Sequence, residues 1–321
     1  MNEISIFALK ALRKTYTKIF GDNQMPPLQR ENDPDKASDI IYNLLMQDKP
    51  CMIARFGAFE LATIVNYLGV QNKEHSIWKF IKGEQPEWWW NKKLMNYMQN
   101  NAGFFPATEE MLNRFCRMML EDCTELDILS SWQRKETYLT PYLSHCCPVT
   151  AEIMDPFFLN NPWTRALRGK KVLVVHPFAE SIQKQYKKRE FLFENPDVLP
   201  EFDLKTIKAV QSIGGSKQFN NWFEALEKME NNIDSIDYDI CITGCGAYGF
   251  PLAAHVKRSG KKAIHLASLT QLLFGIRGAR WENEKYSSIR NYKALMNSYW
   301  IRPSETEKPD NANQIENGCY W

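Results

Sequence analysis

No CxxC pair, no HExxH and no carboxylate–histidine metal spacing occurs in these 321 residues, although the chain holds eight cysteines. That argues against a zinc site and against a disulfide-stapled scaffold. Cys51, Cys116, Cys123, Cys146, Cys147, Cys241, Cys245 and Cys319 are scattered, several inside apolar runs where a thiol behaves as a small core residue. A reducing, cytoplasmic setting is the simplest expectation. There is no P-loop GxxxxGK[ST], which removes most nucleotide triphosphatases, and no GxSxG elbow for a hydrolase serine. Long apolar runs are missing too. The run Ile4 to Leu9 is too short to span a bilayer and no cleavage site follows it, so neither a membrane span nor a signal peptide is expected. A net charge of +2, with no basic stripe interleaved with stacking aromatics, gives no reason to expect a nucleic-acid partner. No internal repeat is evident.

What is present fits a globular enzyme: 44% hydrophobic and 24% charged residues, and length for one large or two modest domains. Residues 1–35 read as an amphipathic helix and linker. Leu9, Leu12, Tyr16, Ile19 and Phe20 fall at helical spacing beside Lys10, Arg13, Lys14 and Lys18, with no acid between Ile4 and Phe20. Such a helix either packs on its own domain or lies on an anionic membrane surface, so peripheral contact at the inner membrane face through residues 4–20 is one expectation. Gly21 to Asp35 reads as linker. Residues 36–300 form an α/β domain, with possible halves 36–168 and 169–300. The tail 301–321 is polar and proline-bearing, yet it closes on Cys319, Tyr320 and Trp321, which are expected to dock against the body.

Within the domain, strand-like runs at Cys51–Arg55, Asp127–Ser130, Lys171–Val175, Leu204–Ala209, Ile240–Thr243 and Ala263–Leu266 alternate with helical stretches. That alternation predicts a Rossmann-like, mostly parallel sheet with helices on both faces, and a helical insertion around residues 78–121. A helix is also expected over Lys135–Ser144.

The most informative segment runs from Asp239 to Gly275: strand, a turn Gly244-Cys-Gly-Ala-Tyr-Gly249, helix, strand. Glycines so spaced let backbone approach a pyrophosphate, making a phosphate-bearing small molecule the first suspect. Dense strand-to-helix packing explains the same glycines equally. A nicotinamide or flavin site wants a carboxylate after the second strand, and His265 stands there instead.

Ligands of such sheets sit beyond the carboxyl ends of the strands, and each strand end supplies candidates. The first gives Arg55, Gly57 and Glu60: a planar fork for phosphate, a flexible turn and a carboxylate for proton or metal. The next gives Trp132, for stacking. His176 could act as base or phosphate contact, with Ser181, Gln185 and Tyr186 along the following helix as uncharged donors. Gln211 and Ser212 follow Leu204–Ala209, and Gly244, Gly246 and Gly249 form the glycine turn. Gln271 and Arg277 lie just past it, beside Arg280.

At Ile53–Leu61 the string IARFGAFEL resembles the RxGDGE-type turn of bacterial glycosyltransferases with the GT-D fold, often found in surface-polysaccharide clusters. The likeness runs loosely from Ala37 to Ile276. It implies a GT-D-like fold and transfer of a sugar from a nucleotide-diphosphate donor to a glycan or lipid-linked acceptor, with a divalent cation, Mn2+ or Mg2+, near the diphosphate. Arg55, Gly57 and Glu60 match the motif, which makes Glu60 the implied metal ligand or catalytic carboxylate. Ala58 replaces the first carboxylate of the Asp-x-Glu pair, which weakens the case for metal. A dinucleotide-dependent oxidoreductase and a catalytically silent binding protein are the rival readings.

Overall fold

The computed structural model describes residues 2–21, 25–213, 215–216, 218–283, 290–308, 318 and 320–321. Gly214, Cys319 and most of the tail beyond Lys308 lie outside that set. Seven strands form one sheet in the order β3-β2-β1-β7-β6-β4-β5, every neighbouring pair parallel. They are β1 (Cys51–Ala54), β2 (Ile128–Ser131), β3 (Cys147–Thr150), β4 (Lys171–His176), β5 (Asp203–Lys208), β6 (Ile240–Thr243) and β7 (Lys262–His265). The expected α/β fold is therefore present, and the sheet is continuous from one proposed half to the other.

Several helices begin where the sequence supplies caps. The first helices are α1 (Glu3–Phe20), α2 (Pro34–Met46), α3 (Ala58–Gln71) and α4 (Ile77–Ile81), followed by α5 (Lys92–Asn100), α6 (Glu109–Asp122) and α7 (Thr140–Leu143). The Asp33 side chain accepts from the N–H groups of Asp35 and Lys36 to start α2, and Thr108 accepts from Met111 to start α6. The second half carries α8 (Ala179–Tyr186), α9 (Trp222–Asp234), α10 (Gly249–Arg258), α11 (Leu269–Leu273) and α12 (Ala279–Glu282). The expected insertion is α4, α5 and α6, separated by turns. Trp88, Trp89 and Trp90 precede α5, and the Asn91 side chain caps it. The helix expected over Lys135–Ser144 is split into a 3-10 segment, Arg134–Leu139, and the short α7.

Alternation along the strands divides the interior in two. Met52 and Ala54 of β1, with Leu173 and Val175 of β4, face a core shared with α3, α6, α9 and α10. Cys51, Ile53, Val172 and Val174 face the other core, with α2, α8 and α11. Because both faces are covered, central strands such as β1, β4 and β6 read as largely apolar runs, as buried parallel strands do. Burial also pushes the thiol of Cys51 up to about 12, as expected of a core cysteine. Within the segment read as linker, Glu31 bridges the sheet edge, pairing with Val149, and α2 begins at Pro34. Among the described residues no helix is long and apolar enough to cross a membrane.

Candidate functional site

The chain leaves β1 toward β2 and β3 on one side of the sheet, while the later strands fill the other side. Parallel sheets of this kind open a crevice at the carboxyl ends where the order reverses. A cleft of about 620 Å³ lies there, and it gathers residues that follow all seven strands. Arg55, Gly57 and Glu60 reach it from β1, Trp132 from β2, Asp155 from β3 and His176 from β4. Gln211 and Ser212 come from β5, Gly244 and Gly246 from β6, and His265 and Gln271 from β7. The Arg55–Glu60 corner and the His176 corner thus share one cleft.

Arg55 is half-buried, and its guanidinium has no hydrogen-bond or ion-pair partner among the described residues. It lies 5.0 Å over the Trp132 ring, and that ring is held because its Nε1–H donates to Phe56 O at 3.0 Å. Desolvation lowers the Arg55 pKa, opposed by Asp155 and Tyr292, and the group stays cationic. An unpaired, partly desolvated cation is costly unless an anion joins it. Behind Trp132, the buried Glu136 carboxylate accepts from the backbone N–H of Trp132 and of Gln133. That fixes the loop carrying the indole.

Glu60 sits in the first turn of α3, its carboxyl folded back over Gly57. A Cβ on Gly57 would lie 2.0 Å from Glu60 Oε2, so the glycine is what makes room. Burial raises the Glu60 pKa, partly offset by its own backbone N–H. A hard divalent cation wants several carboxylate oxygens. Position 58 is alanine, so Glu60 has no carboxylate partner from its own turn, and no group of three or more metal-ligating side chains occurs among the described residues. The donor set does not fit the cation that the resemblance implied.

The two strand-end histidines are both neutral and complementary. The Phe178 N–H donates to His176 Nδ1 at 2.9 Å, so the ring proton is on Nε2. Thr243 Oγ1 donates to Gly249 O at 2.9 Å, so its contact with His265 Nδ1 at 3.1 Å is donated by the histidine. His265 therefore keeps Nε2 as an acceptor. Burial lowers both pKa values to about 3, which leaves His176 a neutral hydrogen-bond donor and removes it as a proton relay near neutral pH.

The glycine turn is filled by protein. A Cβ on Gly244 would meet Thr270 Oγ1 at 2.5 Å and His176 Cδ2 at 2.8 Å, and one on Gly249 would lie 2.1 Å from His265 Cε1. The N–H groups of Gly244, Ala247 and Tyr248 donate to Val175, Ala102 and Cys245 carbonyls. Gly244 and Gly246 border the cleft, whereas Gly249 is closed off by the His265 ring. His265 covers the start of α10, where a dinucleotide pyrophosphate would sit.

Five other expected ligand residues stand apart. Gly249 lies behind His265. Ser181 is buried where Glu307 caps α8, its hydroxyl and N–H both bonded to that carboxylate. Gln185 donates to Gly275 O and Tyr299 O, and the Tyr186 hydroxyl donates to Phe202 O. Arg277 pairs with Glu282 at 3.8 Å. Ser212 borders the cleft with its hydroxyl occupied: it donates to Gly103 O at 2.6 Å and so takes the proton of Tyr248.

Several groups escaped the sequence reading. Asp155 accepts from the Tyr292 hydroxyl and pairs with Arg290, both at 3.0 Å, while its Oδ1 is buried without a partner. Burial pushes its pKa up to about 6, against the pull of Arg290, Tyr292 and Arg55. His265 obeys the same strand-end rule that singled out His176. Tyr320 and Trp321 do dock, as expected: Gln271 donates to Tyr320 O at 3.0 Å, and Trp321 meets Phe178 edge-on at 5.8 Å. Both border the cleft.

No family model and no curated protein matches the chain. Two solved structures of the domain of unknown function 1792 match, one selenomethionine-substituted and one described as having a distinct glycosyltransferase fold. Each is 14% identical over 96% of this chain and 98% of the other, with a TM-score of 0.36, a likeness too slight to bear on ligand or chemistry.

Proposed function

We propose that this cleft binds a nucleotide-diphosphate sugar and transfers the sugar to a glycan or lipid-linked acceptor of the cell surface. The observation that carries the reading is the unpaired Arg55 guanidinium, stacked on Trp132 in a cleft that also holds the His176 Nε2–H. An anion-seeking fork, a neutral donor and an aromatic plate are what a diphosphate joined to a base and a sugar requires.

In this reading Arg55 holds the diphosphate and His176 donates to a phosphate oxygen. The bond between the anomeric carbon and the diphosphate oxygen breaks, and its electron pair leaves with the diphosphate. The acceptor hydroxyl oxygen forms the new bond to that carbon and gives its proton to Glu60, whose burial-raised pKa suits a base. No step is routed through a metal. A catalytically silent binding protein is the second reading, favoured by Tyr320 and Trp321 standing in the cleft.

A thermal-shift screen against UDP-, GDP-, CMP- and dTDP-sugars tests the proposal. Stabilisation by one of them, absent with NAD(P)H, is the expected result. Stabilisation by dinucleotides alone, or by nothing, would reject it. Turnover of a labelled donor then separates the enzyme from the silent binder.

A further inference from the structure

The helix α1 turns the wrong side outward for a soluble surface. Leu9 faces in, packed with Phe80 and Trp89. At 100° per residue Ile4, Leu12 and Ile19 share one flank of the helix, about 60–140° round from Leu9, and Phe7 lies about 160° from it, between Lys14 and Lys18. Ile4 is 81% exposed and Phe7 75%. On α4, which packs against α1, Trp78 is 70% exposed and Ile77 more than half. Single exposed apolar residues are ordinary, but this many on one helix and the short helix packed against it mark a surface that something covers.

Charge says what covers it. Glu3 is the helix's one acid, and Lys92 pairs with it at 2.9 Å. Lys10 is taken by Glu87 at 2.9 Å, and Arg13 lies over Phe80 at 5.0 Å. Lys14 and Lys18 have no ion-pair partner among the described residues, and they stand on either side of Phe7 at the outer part of the helix. Apolar side chains enter the acyl boundary while lysines meet the headgroups, and an exposed indole prefers that same interface.

We infer that the outer face of α1, with Ile77 and Trp78 of α4, docks the protein flat on an anionic lipid surface. This stands independently of the transfer reaction. It needs neither the cleft nor a nucleotide sugar.

Co-sedimentation of the full chain with phosphatidylcholine vesicles, with and without phosphatidylglycerol, tests it. Binding to the anionic vesicles, weakened by high salt, is expected. Phe7→Glu and Ile19→Glu should each reduce it by about tenfold or more. K14E/K18E should remove the preference for anionic over neutral lipid. All of these residues are exposed, so unchanged melting temperatures confirm intact folds. Failure to bind anionic vesicles overturns the proposal, and so does binding that Phe7→Glu leaves intact. Light scattering that shows a dimer dissociated by Phe7→Glu would assign the face to a second copy and equally overturn it.

Discussion

Glu60 folds its carboxyl into space that exists only because residue 57 has no side chain: a Cβ there would fall 2.0 Å from Oε2. The Gly57 backbone is ordinary, with φ −70° and ψ 151°, so alanine is tolerated locally and acts only by displacing Glu60. Gly57→Ala should therefore fold normally and lose turnover much as Glu60→Gln does, by roughly a hundredfold or more. In the wild type the acid limb of turnover should lie above the ordinary glutamate range, since burial raises the Glu60 pKa. A labelled-donor assay across pH checks both. Full activity in Gly57→Ala would remove Glu60 from the chemistry.

Gly249 is a different case, because the His265 ring it would strike is buried and rigid. Gly249→Ala should destabilise the fold by about 1–3 kcal/mol through overpacking. Denaturant unfolding measures this. A stability unchanged within error would show that the ring is free to move.

The histidine environment sets a pH dependence. His176 has a pKa of about 3 in the fold, against about 6.5 in the unfolded chain. Between those values the unfolded chain holds the extra proton, so stability is lost as pH falls through the window. The contribution is about 1.4 kcal/mol per pH unit. His176→Gln should flatten the stability curve there by that slope relative to wild type. Nitrogen-detected NMR should show a neutral ring protonated on Nε2 at pH 6. An imidazolium signal at that pH contradicts the assignment.

Metal removal should matter little. With alanine at 58 and no group of three or more metal-ligating side chains among the described residues, donor binding is expected to survive EDTA, shifting less than about threefold. Calorimetric titration with EDTA or manganese measures this. Strict manganese dependence would mean that carboxylates from elsewhere complete a site.

The sheet and the two corners of the cleft were legible because buried parallel strands and strand-end turns leave local marks. KVLVV followed by His176 is both. The edge strand β3 was missed: Cys147–Thr150 contains Pro148 and lacks an apolar run, and pairing with β2, with Glu31 bridging its other side, makes it a strand. Ser181, Gln185 and Tyr186 were drawn in by their nearness to His176, yet α8 carries them away from the strand tips into helix-capping and packing contacts. Nothing local to Ser181 announces Glu307, which lies 126 residues later. Asp155 and Tyr292 meet across 137 residues for the same reason. The glycine turn was legible as strand–turn–helix, while its occupant, His265, was read only as a missing carboxylate.

The central claim is that Arg55 awaits a diphosphate. Isothermal calorimetry of the nucleotide sugar that best stabilises the protein, titrated into wild type and Arg55→Ala, tests it most directly. The account predicts saturable one-site binding to wild type, weakened about tenfold to a hundredfold by Arg55→Ala with the melting temperature of the free protein preserved. Equal affinity in the two proteins would contradict it.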